Sequence, residues 1–393
     1  MVSEYLTQLP LPENLGHARI RVVGVGGGGV NAVRRMAGIE VPGVELIGIN
    51  TDMASLEAAA DIDVLAIGTE LTRGLGAGGN PEVGRRAAEE SRSEIKRRLS
   101  GSDLVFIAAG MGGGTGTGAA PVIAEMAKEA GAVTIAIVTT PFAFEGGRRK
   151  SVAEEGLKPL YKTADTLIRV SNDRLLSRAD RKTSIRESFG QADGVMVDAI
   201  VAVSRIVNEA ADINVDFADI KAVVSGGGTG VMAIGHGEGS QKVLKAAQAA
   251  IAAPLVDASA HGARGIVYCV SAGPDLTMAE LSEAGRFISE IADPDAEIFF
   301  GMHIDPARER SDDVEIVLIA TQLPDRTGDP NADATVASRV RLATERYFSD
   351  GDEVGPELPP FLRELDLDLD PSGFVEEWER EDFENTLDRD ELE

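Results

Sequence analysis

Residues able to do chemistry are concentrated in a few glycine runs and one carboxylate loop. The runs are GVGGGGVN at 24–31, GLGAGG at 74–79, GMGGGTGTG at 110–118 and GGGTG at 226–230. The first and third each follow a short apolar stretch and precede a helical one. In that setting glycines let backbone N–H groups approach an anion, and the following helix N-terminus adds a favourable dipole. One such loop alone also satisfies a ligand-free tight turn or the Gly-x-Gly-x-x-Gly of a dinucleotide fold. Gly24, Gly26 and Gly29 spell out that motif, and Asp52 stands where such a fold keeps its ribose acid. The third run adds many amides and two hydroxyls, a second cradle suited to a terminal phosphate. A Walker A loop would need Gly-Lys-Ser/Thr, and Gly-Lys occurs nowhere in the chain.

The carboxylate loop is NVDFAD at 214–219. Taken by itself, the Asn214-x-Asp216-x-x-Asp219 spacing fits a turn or a helix cap better than a set that positions water on phosphate. Glu145 and Arg149 stand four residues apart, as an ordinary helix pair would. Asp193 lies in an otherwise apolar helical stretch, where a charge needs a partner. GGGTG at 226–230 reads as a structural turn. The single cysteine, Cys269, excludes an internal disulfide, and the four histidines form no close pair. No metal-ligand cluster is expected.

Elements that must position these residues follow from periodicity. Apolar runs at Ile20–Val25, Val44–Ile49, Leu104–Ala109, Val133–Val138 and Leu167–Val170 alternate with helical stretches at 81–99 and 147–162, the pattern of an α/β domain with a mainly parallel sheet. Ile185, Phe189, Ala192, Met196, Ala199, Val203 and Val207 recur at helical spacing, and further valines and isoleucines widen the stripe. That helix is expected to be buried between two bodies. A second α/β region follows, with strands at 264–270, 296–300 and 314–320 and helices near 240–252 and 277–291. The expected organisation is a flexible arm at 1–18, a nucleotide domain at 19–183, a central helix at 184–212, a second domain at 213–322, a linker at 323–355 with a possible helix at 336–348, and a tail at 356–393. The uncharged window Leu104–Ala124 is interrupted by six glycines and is not expected to span a membrane.

The formal net charge is -27, and residues 350–393 hold 18 acids against 3 bases, more than half of the imbalance. An acidic field repels phosphate backbones, so nucleic acid is not an expected partner. No secretory signal is visible at the start, and the cytoplasm is the expected compartment.

Several spaced motifs together resemble one family. GGGTGTG at 112–118 is similar to the signature of the tubulin/FtsZ superfamily. NTD at 50–52, GLGAGGNPEVG at 74–84, FIAAGMGGGTGTGAAPV at 106–122, PFAFEG at 141–146, NDRLL at 172–176 and NVDFAD resemble, in order, the loops of its FtsZ branch, the prokaryotic cell-division GTPases. The resemblance implies a Rossmann-like GTPase domain, a long central helix and a second α/β domain. It implies GTP or GDP as ligand, with Mg2+, held by Gly27, Gly28, Gly29, Val30, Asn31, Gly114, Thr115, Gly116, Glu145 and Arg149. Asn172, Phe189 and Asp193 match its guanine-binding set. For Phe189 a place in the core stripe fits equally, and for Asn172 a helix N-cap does.

It further implies that Asn214, Asp216 and Asp219 meet the nucleotide of the next subunit in a head-to-tail homopolymer, at the division site near midcell. LPPFLR resembles the family's docking peptide for membrane-tethering and regulatory division proteins, through Leu358, Pro359, Phe361, Leu362 and Arg363, without direct membrane insertion. Thirty residues follow it here, where the family peptide lies close to the end. A nicotinamide-dependent oxidoreductase and a non-hydrolysing nucleotide scaffold remain the competing readings at this point.

Overall fold

The computed structural model describes residues 17–39, 41–178, 184–208, 211–252, 260–305 and 313–324. Most of the N-terminal arm, nearly all of the linker, the 336–348 stretch and the tail with LPPFLR lie outside the described residues.

Ten strands form one sheet: β1 (Ile20–Val25), β2 (Val44–Asn50), β3 (Asp63–Ala66), β4 (Leu104–Gly110), β5 (Val133–Thr140), β6 (Thr166–Ser171), β7 (Gly228–Glu238), β8 (Gly265–Ala272), β9 (Glu297–Ile304) and β10 (Asp313–Thr321). Their order is β3-β2-β1-β4-β5-β6-β7-β10-β8-β9. The run from β3 to β7 is parallel, β10 is antiparallel to both its neighbours, and β9 runs parallel to β8 at the edge. The helices are α1 (Gly26–Met36), α2 (Met53–Glu57), α3 (Thr69–Thr72), α4 (Pro81–Glu90), α5 (Arg92–Leu99), α6 (Thr115–Glu129), α7 (Gly147–Thr163), α8 (Asn172–Arg178), α9 (Ile185–Asn208), α10 (Phe217–Val224), α11 (Lys242–Ala252) and α12 (Met278–Ile291).

The parallel strands β4 and β5 are buried along almost their whole length, which is why LVFIAA and VTIAIV show no polar alternation: helices cover both faces. The core over α4, α6 and this sheet is built of alanine, valine, isoleucine and leucine. Small residues let the helices approach closely. A side chain on Gly118 of α6 would lie 1.9 Å from the Pro81 carbonyl oxygen of α4, so the two helices meet backbone to backbone.

The central helix α9 is a single element of 24 residues, as its periodicity predicts. Ala192, Met196, Ala199, Ile200 and Val203 are buried. On its other side Asp198 faces Glu315 of β10, and burial together with that second carboxylate pushes the Asp198 carboxyl above its usual range.

One expectation is corrected and two features are added. The stretch 81–99 is two helices, α4 and α5, broken at Ser91. Strand β3, too short and too acidic at its start to stand out, was not foreseen. GGGTG at 226–230 opens with the expected turn, Gly226 at a φ of +66°, and runs on into the 11-residue strand β7, where Gly228 starts the pairing with Thr166 of β6.

Candidate functional site

Most of the glycines and polar residues singled out in the first half of the chain lie at or just beyond the carboxyl end of a parallel strand, with GLGAGG after α3 and Asp193 on α9 as exceptions. In open α/β sheets that edge is where ligands bind. Gly27–Asn31 follow β1, Thr51 follows β2, Gly112–Gly116 follow β4, Glu145 and Arg149 follow β5, and Asn172 follows β6.

The β1 and β4 loops abut. Gly26 has a φ of +71°, and a side chain there would come within 2.7 Å of the Gly116 nitrogen. Gly27 and Gly28 are exposed at the first turn of α1, with nothing within 4 Å of the Gly27 side-chain position. The amides at the start of α1 and α6 have no earlier turn to donate to, which suits an anion. GLGAGGNPEVG buttresses this arrangement. Asn80 caps α4 by accepting from Glu82 N at 3.0 Å, and a side chain on Gly84 would lie 2.4 Å from the Gly114 oxygen. The hydroxyls of the β4 loop shape it from within: Thr117 Oγ1 accepts from Gly112 N at 2.9 Å, and Thr115 Oγ1 shares a 2.7 Å hydrogen bond with Thr51 Oγ1. Thr51 was therefore missed as a site residue, although it sits inside the NTD motif. Val30 is buried against Leu56 and Ala59, so only its backbone can serve a ligand, whereas Asn31 is exposed.

At the far side of this edge stand the residues matched to a base. Asn172 is 5 % exposed, and its Oδ1 has no hydrogen-bond partner among the described residues. It opens α8 without acting as a cap, so the N-cap alternative fails. A buried acceptor left unmatched costs about 1–3 kcal/mol, and a ligand donor would recover that loss. Phe189 is 39 % exposed, which overturns its place in the core stripe. It meets the buried Phe142 edge-on at 5.1 Å and the exposed Phe144 at 6.4 Å. Phe142 and Phe144, alternate residues of PFAFEG, thus build an aromatic wall that the motif alone did not assign.

Asp193 Oδ2 accepts from Arg35 Nε at 3.2 Å, the partner its charge requires. Burial pushes its carboxyl up to about 6, with Arg35 pulling the other way.

Glu145 accepts from Phe142 N at 3.0 Å and forms an ion pair with Arg149, so the i, i+4 reading is realised. Arg149 is nevertheless more than half exposed. A pair in that setting contributes at most about 0.5 kcal/mol, so an incoming phosphate can recruit the guanidinium. Asp52 is committed elsewhere: its Oδ1 caps α2 by accepting from Ala54 N at 3.1 Å, and its backbone bridges Leu75.

The NVDFAD loop is not at this edge. Arg35 and the Phe142–Phe144 wall engage the first turns of α9, whereas Asn208 at its other end accepts from Ala18 N and donates to Pro42 O, ahead of β1 and β2. Twenty-four helical residues span about 36 Å. Beyond that end the chain is pinned on the edge strand β9: Ile213 and Met302 exchange hydrogen bonds of 3.1 and 2.9 Å, and Asp212 Oδ2 accepts from Ile304 N at 2.8 Å. Val215 is buried, while Asn214 and Asp216 point to solvent at the start of α10. Asn214 Oδ1 accepts from Ala211 N, and the Asp219 carboxylate accepts from Asp216 N. The loop therefore has the local cap geometry its spacing allows, and it is remote from the glycine cradle of its own chain.

Comparison with known proteins agrees with these loops. Residues 19–180 match the model of the tubulin/FtsZ family GTPase domain, and residues 228–324 match that of the FtsZ family C-terminal domain. An empty FtsZ dimer from M. jannaschii is 40% identical, with 83% of this chain and 92% of that chain covered at a TM-score of 0.73. CetZ1 from Haloferax volcanii, a GDP-bound monomer, and CetZ2, a GTPγS-bound protofilament, share the fold. Each is 20% identical at a TM-score of 0.67, over 84% of this chain and 99% of theirs. Two abutting glycine loops, a buried unmatched acceptor at Asn172 and the two matched domains converge, and the dinucleotide reading is set aside: the chain belongs to the FtsZ branch of the tubulin/FtsZ family, cytoskeletal GTPases that bind and hydrolyse guanine nucleotide.

Proposed function

We propose that this protein assembles head to tail into GTP-dependent filaments and builds the cytoplasmic division ring near midcell, with hydrolysis completed by the NVDFAD loop of the adjacent subunit. The observation that carries this reading is the separation just described. A chain whose water-positioning carboxylates stand about 36 Å of helix away from its phosphate cradle needs a second copy to bring the two together. A contact between two different faces does not close on itself and propagates into a filament. The dimeric and protofilament states named for the M. jannaschii and Haloferax relatives support the same arrangement.

In this reading the amides of Gly27–Asn31 and Gly114–Gly116 hold the phosphates, and Arg149 exchanges Glu145 for phosphate oxygen. Phe189 stacks on the base, and Asn172 and Asp193 read its edge. Asp216 and Asp219 of the neighbour then align a water with the terminal phosphate, a positioning role that needs no covalent intermediate. Magnesium would travel with the triphosphate and neutralise its charge. The phosphate oxygens and water would supply most of its ligands. LPPFLR would dock division partners that tether the filament to the membrane.

Phosphate release and light scattering, recorded together after addition of GTP and magnesium, test the proposal. Turnover per molecule should rise steeply with protein concentration, in step with scattering. Turnover independent of concentration would contradict it. Asp219→Ala should keep nucleotide binding and lose most turnover.

A further inference from the structure

The reading of Asp193 as the base acceptor leaves a physical problem. Its side chain is 14% exposed on a helix face shared with buried Ala192 and Met196, a setting that disfavours the carboxylate it must be in order to accept from guanine. Of the two consecutive arginines at the end of α1, only one addresses this problem. Arg34 turns to Asp61 at 3.5 Å, whereas Arg35 reaches α9. The Arg35 guanidinium lies over Gly190, one turn before Asp193: a side chain on Gly190 would sit 3.4 Å from Nη2 and 3.8 Å from Nη1. Glycine there lets the guanidinium lie close against the helix. It donates through Nε to Oδ2, and no hydrogen bond among the described residues engages Oδ1.

We propose that Arg35 is a positioning residue for base recognition: from α1 it pins Asp193 on the ligand side of α9, keeps it charged, and leaves Oδ1 as the acceptor offered to the base. This rests on the proposed role of Asp193. It also gives α1 two tasks, since the helix whose first turn holds phosphate ends in the residue that prepares the base reader.

Among the described residues, Arg35 is the charged group that bears on Asp193, and no other ionisable neighbour from α1, α9 or the aromatic wall contributes. With burial holding the carboxyl up at about 6, the group is mostly ionised at pH 7 and protonates toward the acid end of the range. Removing Arg35 removes both influences that lower it, so the group protonates at higher pH and the acceptor is lost sooner as pH falls.

The experiment is a titration of GTP into the full chain without magnesium, at pH 6.5 and 8.5, for wild type, Arg35→Met, Arg35→Lys and Asp193→Asn. In wild type the dissociation constant should change by less than about twofold across this range, because protonation is confined to the acid end. For Arg35→Met it should rise by about threefold or more on going to pH 6.5, and Arg35→Lys, which keeps the charge, should restore the shallow profile. A purely structural role of Arg35 would lower affinity equally at both pH values. Superimposable profiles for Arg35→Met and wild type would overturn the proposal. Should Arg35→Met fail to fold, Arg35→Gln carries the same comparison. Asp193→Asn separates the two levels: binding like wild type in that variant refutes the base-acceptor reading itself. Weakened binding there, with no pH effect of Arg35→Met, refutes only the role of Arg35.

Discussion

Gly28 and Gly29 are adjacent in sequence but should respond in opposite ways to the same substitution. At Gly28, an added methyl would meet Gly110 Cα and N at 3.5 Å, ordinary contact distance. Its backbone is helical, where alanine is favoured over glycine by up to about 1 kcal/mol. Gly28→Ala should therefore fold as well as wild type, with a melting temperature unchanged or raised by a few degrees at most. At Gly29, the methyl would sit 2.1 Å from the Ala108 carbonyl oxygen of β4, which must move. Overpacking of that kind costs about 1–3 kcal/mol or more, and about 2–4 °C of melting temperature per kcal/mol in a domain of this size.

Binding reverses the order of interest. The Gly28 methyl lies between the two cradles, where a phosphate oxygen must come within about 3 Å of backbone nitrogen. Losing one charge-assisted hydrogen bond there is worth about 1.5–3 kcal/mol, so the dissociation constant for GTP should rise at least about tenfold. Thermal melting and nucleotide titration on the two variants read both halves. Gly28→Ala with full GTP affinity would refute the cradle assignment. A Gly29→Ala protein as stable as wild type would refute the packing argument.

Further consequences follow from the second half of the molecule. A side chain at Gly301 would lie 2.9 Å from Val215 Cγ2 and 3.2 Å from the Ile213 oxygen. Gly301→Ala should thus displace the NVDFAD loop, lowering turnover several-fold at unchanged GTP affinity, and adding Val215→Ala should restore it. Asn172→Ala should weaken GTP binding by about 1–3 kcal/mol with little loss of stability, because its Oδ1 is already unmatched; loss of stability without loss of affinity would argue for a structural amide. Trp378 is the only tryptophan. Its emission should be unmoved by GTP and shifted by a partner that docks on the tail, and a chain ending before residue 350 should retain full turnover.

Much of this site was legible before any coordinates. Buried parallel strands announce themselves as unbroken apolar runs, and glycine clusters at their ends have few uses besides close backbone approach. Motif order resembles that of a GTPase family, whereas Gly24, Gly26, Gly29 and Asp52 also fit a dinucleotide fold, which the two matched domains set aside. Tertiary contact decided what remained hidden. Periodicity placed Phe189 on the core stripe because it records spacing and not which neighbours arrive, and Phe142 and Phe144 arrive from a distant loop. Arg35 carries no mark of its role in the sequence, since nothing in NAVRRM records that Gly190 makes room for it. The break at Ser91 escaped because α4 and α5 continue one another in composition. That Thr115 and Thr117 shape the loop from within is likewise invisible in GGGTGTG.

Whether each active site is shared between two subunits can be read by mixing two defective proteins. Asp219→Ala retains the cradle and lacks the water-positioning acid, whereas Gly28→Ala retains NVDFAD and has a damaged cradle. Each alone should hydrolyse GTP slowly. Mixed at equal concentration with GTP and magnesium, they should release phosphate well above the sum of their separate rates, because an intact NVDFAD loop of one chain then meets an intact cradle of the other. A mixture that releases phosphate only at that sum would show that the site is completed within one chain and would rule out a shared site.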